Sequence, residues 1–524
     1  MQGKVVCAIN LCNVYKGPYS SKLSSILRTN FIETRCILLF RRVFLLAMAY
    51  FGVTVGAGFS SGQEPLQYYA AYGTWGLVGA ALIVVILPLT ALVILQYGSY
   101  FKATSHSVVF NKISGRYMGR FLDYSLSISQ FCIGFVMLAG AGANLKQQFG
   151  LPLWVGSALM CVLVLITGLL DVDRVSALLG YITPLMVVLI IVAIVYGLAT
   201  VDADWATASA TAQETVPQPL PNWLFATLNY VGLCMFSGIS MAILIGGSSW
   251  NTKAAGWGGF AGGMLFAVLL IALTVTFILQ IDLVHDSDLP ILLLLNQINP
   301  AIGVIASIAT YGMIYSTTLG VIYSLSKRIT VRAPQRYVHV LVIITAASFG
   351  LSFFEFKMLI NKVYPIMGWL GVLIIVVLLV TWLLKGREKI GQEVLRRDKI
   401  RVLILKMVDP KTRLRKRELA ELNRTVQESS VSEQLAVEGV AADAVFELGQ
   451  SDDDRDINEE KLIDHWVEQS EQHGLELSVL GAEDSGDGAD ESAADAADEG
   501  AKSAGGEGAA GATDEANSDG NNKD

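Results

Sequence analysis

The sequence predicts an all-α integral membrane protein whose ten transmembrane helices form two five-helix halves of inverted topology. Three observations lead to this class: the composition, the number of long apolar stretches, and a matched pair of interruptions within them. Of the 524 residues, 53% are hydrophobic and only 16% are charged, and the mean hydropathy is +0.51. A soluble domain carries roughly a quarter charged residues, so most of this chain is expected to lie in a bilayer.

Ten stretches are long enough to cross the hydrocarbon layer, which takes about 20 apolar residues. Backbone groups in lipid must form hydrogen bonds within their own segment, so each stretch is predicted to be a helix. The stretches are residues 43–71, 75–99, 121–146, 152–170, 175–200, 221–249, 255–281, 300–326, 337–354 and 359–384.

The basic residues predict the orientation of these helices. Lys and Arg in short loops mark the cytoplasmic side. They cluster after the second, eighth and tenth stretches, whereas residues 201–222 and 282–300 contain none. Both termini are therefore predicted to be cytoplasmic, in a multi-pass protein of the cell membrane.

Three segments flank the ten stretches. Residues 1–42 do not resemble a signal peptide, and because the first apolar stretch begins directly after them, we interpret them as an extension from a mis-called start. Residues 385–420 are basic with apolar residues interleaved, which favours contact with anionic lipid headgroups or a simple topology anchor. Residues 421–524 contain 29 acidic and 5 basic residues. This last segment is predicted to be a largely disordered cytoplasmic tail.

No catalytic chemistry is visible in the sequence. The six cysteines lack C-x-x-C spacing, the five histidines are isolated, and no phosphate-binding loop is present. We therefore expect no enzyme activity, no cofactor and no nucleic-acid partner. The sequence leads to no prediction of the oligomeric state.

Two of the apolar stretches are interrupted by glycines and polar residues. Unwound backbone in lipid leaves polar groups unsatisfied, so such stretches must be buried in protein or line a wet cavity. The first stretch reads GVTVGAGFSSGQE over residues 52–64, and the sixth reads MFSGIS over residues 235–240. Both helices are predicted to be broken.

The two interruptions occupy corresponding places in the halves 43–200 and 221–384. Five helices per half is an odd number, so the halves have inverted topology. Paired interrupted helices of this kind indicate the binding site of a transporter near the membrane midplane. The alternative is close helix packing through small residues. The predicted substrate-binding residues are Gly56, Ala57, Gly58, Ser60, Ser61, Glu64, Gln130, Phe236, Ser237, Gly238 and Ser240.

Two of these residues have alternatives of their own. Glu64 is a carboxylate in the first apolar stretch, where ionisable groups are usually functional. It is predicted to carry a proton or to bind a substrate amine, unless it lies in a wet outer vestibule. Gln130 lies on a polar face of the third helix, which either lines the cavity or forms interhelical hydrogen bonds.

The run from Gly52 to Glu64 resembles the opening motif of the YkvI-like bacterial membrane proteins, within the amino acid-polyamine-organocation (APC) superfamily. The likeness extends over residues 43–384. It implies the LeuT-type fold, with broken first and sixth helices in a five-plus-five inverted repeat, and ion-coupled or exchange transport. It does not imply a particular substrate.

In sodium-coupled relatives, an ion lies between carbonyls of the broken first helix and hydroxyls of the eighth. The resemblance places this Na⁺ site at the carbonyls of Gly52 and Val55 and the hydroxyls of Ser316 and Thr317. Alternatively, these hydroxyls only bond back to their own helix.

The sequence thus leads to two hypotheses. The first is a secondary active transporter that moves a small polar solute, such as an amino acid, an amine or an osmolyte, by alternating access coupled to Na⁺ or H⁺. The second is a receptor or scaffold of the same fold that transports nothing and signals through its cytoplasmic tail.

Overall fold

The computed structural model describes residues 25–169, 182–201, 203–331, 333–408 and 415–430. All regular secondary structure in these ranges is helical. The helical class predicted from the sequence is therefore confirmed. Most of the predicted extension 1–42, and the predicted acidic tail from residue 431 onwards, lie outside the described residues.

The α-helices are numbered here in chain order. They are α1 Ser25–Thr54, α2 Ala57–Ser61, α3 Gln63–Tyr68, α4 Gly73–Phe101, α5 His106–Phe149, α6 Leu153–Leu169, α7 Ile182–Ala199, α8 Trp205–Thr215, α9 Trp223–Ser248, α10 Thr252–Leu279, α11 Ile281–Val284, α12 Pro290–Ile298, α13 Pro300–Ile329, α14 Tyr337–Leu351, α15 Phe356–Thr381, α16 Arg387–Val408 and α17 Lys416–Gln427. A π-helical turn, Trp382–Gly386, joins α15 to α16.

Each predicted apolar stretch lies mostly on helix in the described residues. The first stretch is divided among α1, α2 and α3, and the others lie on α4, α5, α6, α7, α9, α10, α13, α14 and α15. Seven spans in the described residues are long and apolar enough to cross a membrane, and α6 is a shorter apolar helix. Apolar side chains such as Val195, Ile308 and Ile366 are 62%, 65% and 66% exposed. Such an apolar outer surface suits contact with lipid.

Glycines bring the long helices into backbone contact. A β-carbon at Gly98 of α4 would lie 2.3 Å from the Ile243 carbonyl oxygen of α9, and one at Gly246 would lie 2.3 Å from the Leu95 carbonyl oxygen. Small residues let membrane helices approach this closely, and van der Waals packing then holds them together. Many glycines of this chain therefore serve packing rather than a break.

The first predicted break is present and the second is not. The first helix stops at Thr54 and resumes at Ala57, whereas α9 runs without interruption from Trp223 to Ser248. The predicted break around residues 236–240 is wrong. A β-carbon at Gly238 would lie 3.4 Å from Val53 Cγ1, and Ser237 Oγ donates to the Cys234 carbonyl of its own helix. The small residues here let α9 pack against α1 while the helix satisfies its own polar groups.

The beginning of α5 contains a sharp turn at Gly115. Its φ of 75° and ψ of 171° lie in a region that glycine adopts far more readily than other residues. The turn separates a short leading segment, which carries His106, from the long membrane-crossing part of α5. It thereby places His106 beside the ends of neighbouring helices.

The segment after α15 packs on the protein. Helix α16 continues from the π-helical turn, and its Glu393 and Arg397 are 0% and 6% exposed. Helix α17 lies along α16, with Leu422 fully buried. The predicted basic membrane-surface segment 385–420 therefore has one face buried in protein. Residues 421–430, predicted to begin a disordered tail, complete α17 and its end.

Candidate functional site

The break in the first helix frees backbone groups inside the protein. Val55 N–H donates to the Phe51 carbonyl, but Gly56 N–H donates to Thr54 instead of to Gly52. The regular series resumes where Ser60 N–H donates to the Gly56 carbonyl. Because the Gly56 N–H bonds to Thr54, the Gly52 carbonyl has no hydrogen-bond partner within the helix. The break thus offers a free carbonyl oxygen, the type of group that coordinates a cation.

Four helices meet around this break. Val53 of α1 faces Gly238 of α9, and a β-carbon at Gly52 would lie 3.8 Å from Thr183 Cγ2 of α7. The Thr183 hydroxyl is 3.6 Å from Met313 Sδ of α13. Gly52 and Gly56 are partly exposed although they lie at the middle of the bundle. The backbone around the break is therefore accessible rather than packed solid.

A second turn in the first segment directs Glu64 back towards the break. Gly62 has a φ of 87°, the left-handed region that favours glycine, and it separates α2 from α3. A β-carbon at Gly58 would lie 1.9 Å from Glu64 Oε1 and 3.2 Å from the Tyr364 hydroxyl. The carboxylate and this hydroxyl therefore both lie against the bare backbone of Gly58.

Tyr230 of α9 holds the other oxygen of this carboxylate. Its hydroxyl donates to Glu64 Oε2 over 3.0 Å. Glu64 itself is partly exposed, whereas the Tyr230 side chain is fully buried. The hydrogen bond joins residues 166 positions apart, and it links the first segment to α9.

Buried aromatic residues support this contact. Tyr68 and Tyr69 pack on the Tyr230 ring, with centroid distances of 5.2 and 5.3 Å. The Tyr68 hydroxyl donates to Asn229 Oδ1 over 3.2 Å, and Asn229 in turn donates to the Pro365 carbonyl over 2.8 Å. These contacts fix the position of Tyr230, and with it the position of the Glu64 carboxylate.

The structure brings only some of the predicted binding residues together. Ala57, Gly58, Ser60 and Ser61 are buried beside Glu64, but the two serine hydroxyls donate to the carbonyls of Ala57 and Gly58 in their own helix. In this conformation the serines therefore cap the short helix α2 and offer no free hydroxyl hydrogen to a solute.

The predicted residues on other helices are more dispersed. Phe236 is buried and Ser237 is exposed, while Ser240 lies 3.0 Å from His106 Nδ1. The Gln130 amide donates to Ser324 Oγ over 3.0 Å, which is the interhelical hydrogen bond named as its alternative. Of the predicted residues on α9, Gly238 lies against Val53 beside the break.

The hydroxyls of the predicted ion site lie on α13, which packs against α2. Ser316 and Thr317 are partly exposed, and they lie within about one helical turn of Met313, which contacts Thr183. The adjacent Thr318 donates to the Ile314 carbonyl over 2.6 Å, as a hydroxyl commonly does in a membrane helix. The Na⁺ site at Gly52, Val55, Ser316 and Thr317 stays a prediction. The described residues contain no cluster of three or more His, Cys, Asp or Glu that could hold a metal ion.

Sequence reasoning missed Tyr230, Tyr364 and Asn229 as members of this site. A tyrosine in an apolar helix must find a partner for its hydroxyl, which is the one signal that could have singled out Tyr230. That signal does not identify the partner, because Glu64 lies in another helix far away in the chain.

A polar network lies on the side of the bundle on which α4, α9 and α13 end. Arg328 Nη2 of α13 lies 2.7 Å from Asp123 Oδ1 of α5, and His106 Nε2 lies 3.3 Å from the same oxygen. His106 Nδ1 then reaches Ser240 of α9. Burial lowers the pKa of the His106 imidazole, and the Arg328 guanidinium lowers it further, while Asp123 acts in the opposite direction.

The connection between α11 and α12 covers the opposite end of the site. Gln63 Nε2, next to Glu64, donates to the Ser287 carbonyl over 3.0 Å. Gln147 of α5 accepts from Leu289 N–H at 2.9 Å and donates to the Leu289 carbonyl at 3.0 Å. Glu64 and the break therefore lie between two polar networks, one at each end of the bundle.

Comparisons with known proteins point to membrane proteins. No family model matches the sequence. The chain is 21% identical over 334 residues to the uncharacterized membrane protein YkvI of Bacillus subtilis (strain 168), which covers 64% of this chain and 94% of the relative. It is 22% identical over 330 residues to the uncharacterized protein YyaD of the same organism, covering 63% and 93%. These relatives support the resemblance found in residues 52–64, and the APC superfamily stays a prediction.

Two solved structures are also similar in part. One is the inward-facing conformation of Mhp1, with a TM-score of 0.44, 11% identity, and coverage of 63% of this chain and 75% of that chain. The other is MhsT in complex with L-phenylalanine, with a TM-score of 0.43, 13% identity, and coverage of 78% and 97%.

Proposed function

We propose that this chain is a secondary active transporter that moves a small polar solute across the cell membrane by alternating access. The observation that carries the proposal is the break at Val55 and Gly56, which frees a backbone carbonyl in the same segment as Glu64, a partly exposed residue. A membrane protein tolerates freed backbone and an ionisable group at this depth only where they face a cavity or a ligand.

The polar networks at the two ends of the bundle fit alternating access. In such a cycle one network opens while the other stays closed, so that the site between them meets each side in turn. On the Arg328 side, opening would separate Ser240 from His106. On the other side, it would release Gln63 from the Ser287 carbonyl. Both contacts are single hydrogen bonds, which are weak enough to form and break in every cycle.

We further propose the five-plus-five inverted repeat, cytoplasmic termini, and coupling to Na⁺ or H⁺. The solute belongs to the amino acids, amines or osmolytes. In the conformation described here α9 is unbroken, so the freed backbone comes from the first helix alone.

A ligand screen tests the proposal. The purified protein is heated with individual amino acids, amines and osmolytes, with and without sodium, and each solute that raises the melting temperature is then tested for uptake into proteoliposomes. At least one solute is expected to stabilise the protein and to accumulate in the vesicles. Stabilisation by no solute, together with no uptake, would refute the proposal.

A pair of glycine variants connects the result to the site. In Gly58→Ala, the new β-carbon would overlap Glu64 Oε1 and displace the carboxylate. In Gly320→Ala, the β-carbon meets nothing within 4 Å, so this variant serves as the matched control. We expect both variants to fold, and only Gly58→Ala to lose uptake.

The receptor hypothesis makes a different prediction about the tail. Truncation after Ser430 removes the acidic tail but keeps Ser429 and Ser430, which bond to Glu393. A transporter is expected to keep its uptake after this truncation. A receptor that signals through the tail would lose its cellular phenotype, and no version of it would take up solute.

A further inference from the structure

Glu64 has no cation partner, unlike Glu393 and Asp123. Glu393 pairs with Arg397 over 3.1 Å, and Asp123 pairs with Arg328 over 2.7 Å. Among the ion pairs formed within the described residues, none includes Glu64. This membrane protein thus supplies cations to two other carboxylates and leaves the one beside the helix break without one.

The groups that face Glu64 are neutral. They are Tyr68 and Tyr69 from its own segment, Tyr230 and Cys234 from α9, and Tyr364 from α15. A carboxylate that is only partly exposed and has no cation partner is destabilised in its ionised form. The single tyrosine hydrogen bond offsets only part of this destabilisation. The site therefore lacks one positive charge.

The space around the carboxylate limits what can supply that charge. On the α9 side the rings of Tyr68 and Tyr69 both pack on the ring of Tyr230, and all three are fully buried. On the α2 side Glu64 Oε1 rests against Gly58. A metal cation needs several oxygen ligands arranged around it, whereas a proton needs only one oxygen and no added volume. The partial exposure of Glu64 leaves a route for the proton.

We infer that Glu64 is the site that binds and releases the coupling proton, with Tyr230 positioning the carboxyl group. This inference rests on the proposed transport function and names its coupling ion. In each cycle the Glu64 carboxylate takes up one proton from water on one side of the membrane and becomes a neutral carboxyl group. It returns that proton to water on the other side, and no other bond forms or breaks.

Infrared difference spectroscopy tests the protonation directly, with the proton itself as the probe. Spectra of the purified protein are compared between about pH 5 and about pH 9, a range that brackets neutral pH and lies above the ordinary values of exposed carboxyl groups. The wild type is expected to show the carbonyl stretch of a protonated carboxyl group, shifted in heavy water. Glu64→Gln should lose this band. Asp123→Asn, which removes a carboxylate that has an arginine partner, should keep it.

A second variant leaves Glu64 in place, in case Glu64→Gln does not fold. Tyr230→Phe removes the hydrogen bond to the carboxyl group, so the band should remain and change in frequency. A band that is unchanged in both Glu64→Gln and Tyr230→Phe would overturn the inference.

A flux measurement separates this inference from the proposed function. Proteoliposomes that contain a pH-sensitive dye receive each amino acid, amine or osmolyte that stabilises the protein in the thermal screen, without sodium. Wild-type vesicles are expected to acidify as the solute enters, and Glu64→Gln vesicles to show no acidification driven by the solute. If solute enters both kinds of vesicle equally and only with a sodium gradient, the proton inference fails while the transporter proposal stands. If no solute enters either, the transporter proposal fails.

Discussion

Arg397 offers a sharp test of how the C-terminal helices are attached to the membrane bundle. Its side chain is 7% exposed and forms an ion pair with Glu393. Its guanidinium also donates to backbone carbonyls beyond α16: Ser99 at 2.9 Å, Tyr100 at 2.8 Å and Trp250 at 3.2 Å. One side chain thus joins α16 to the end of α4 and to the connection between α9 and α10.

The free-energy cost of Arg397→Met depends on which partners of Arg397 still have a hydrogen bond or ion pair after the substitution. Removing one partner of a buried ion pair costs about 3–5 kcal/mol. Here Glu393 keeps Ser429 at 2.6 Å and Arg396 at 3.6 Å, and the Tyr100 carbonyl keeps the Ser430 hydroxyl at 2.9 Å. These remaining partners place the cost at the lower end, near about 3 kcal/mol. That corresponds to an increase on the order of a hundredfold in the undocked population.

Hydrogen exchange of the α16 and α17 amides measures this population, because local opening governs their exchange rates. We expect exchange in Arg397→Met to accelerate on the order of a hundredfold in these helices and to stay unchanged in α9. Arg424→Ala is the control, since its side chain is 82% exposed and pairs only within α17. Such a pair contributes about 0.5 kcal/mol. Hydrogen-exchange rates in Arg397→Met within about threefold of the wild type correspond to a change of less than 1 kcal/mol. Such rates would refute the role of Arg397 in holding α16 and α17 against the bundle.

Three further predictions concern the bundle and its two ends. Gly371→Ala should lower the melting temperature, because its β-carbon would lie 2.0 Å from the Gly232 carbonyl oxygen and force α9 and α15 apart at a cost of about 1–3 kcal/mol. Gly320→Ala should leave the melting temperature unchanged, because the space around Gly320 is open. Burial and a neighbouring arginine hold the pKa of His106 below its ordinary value of about 6.5, so the unfolded chain binds this proton more readily. The stability that neutral His106 contributes is therefore present above about pH 6.5 and is lost as the pH falls through that value. The melting temperature of His106→Gln should fall less than that of the wild type over the same change of pH. Gln147→Ala removes hydrogen bonds to the connection between α11 and α12, which lowers the local stability by about 1–2 kcal/mol. Hydrogen exchange of the amides in this connection should therefore rise roughly tenfold.

The two predicted helix breaks show what a sequence pattern can decide. The first stretch concentrates glycines and polar residues over residues 52–64, and the helix breaks there. The sixth stretch has a similar but shorter cluster at residues 236–240, and α9 is continuous. Small residues permit either unwinding or close packing, and Val53 lies against Gly238. The choice between the two depends on a helix that is far away in the sequence.

The partners of Glu64 were beyond sequence reasoning for a similar reason. Glu64 was predicted as a functional carboxylate because an ionisable group in an apolar stretch needs an explanation. Its hydrogen bond to Tyr230 and its contact with Gly58 depend on how α2, α3 and α9 cross. Ser240 shows the converse case, because its hydroxyl reaches His106 rather than the break.

Composition and hydropathy by themselves determined that this is a helical membrane protein, since lipid forces the backbone of every apolar stretch to satisfy its own hydrogen bonds. They also located the break in the first helix, because its density of glycines and polar residues is incompatible with a plain membrane helix. Only the tertiary structure decided that α9 stays whole, that Glu64 has a tyrosine and no cation beside it, and that Arg397 anchors the C-terminal helices. Each of these depends on contacts between residues more than a hundred positions apart, and such contacts leave no local pattern in the chain.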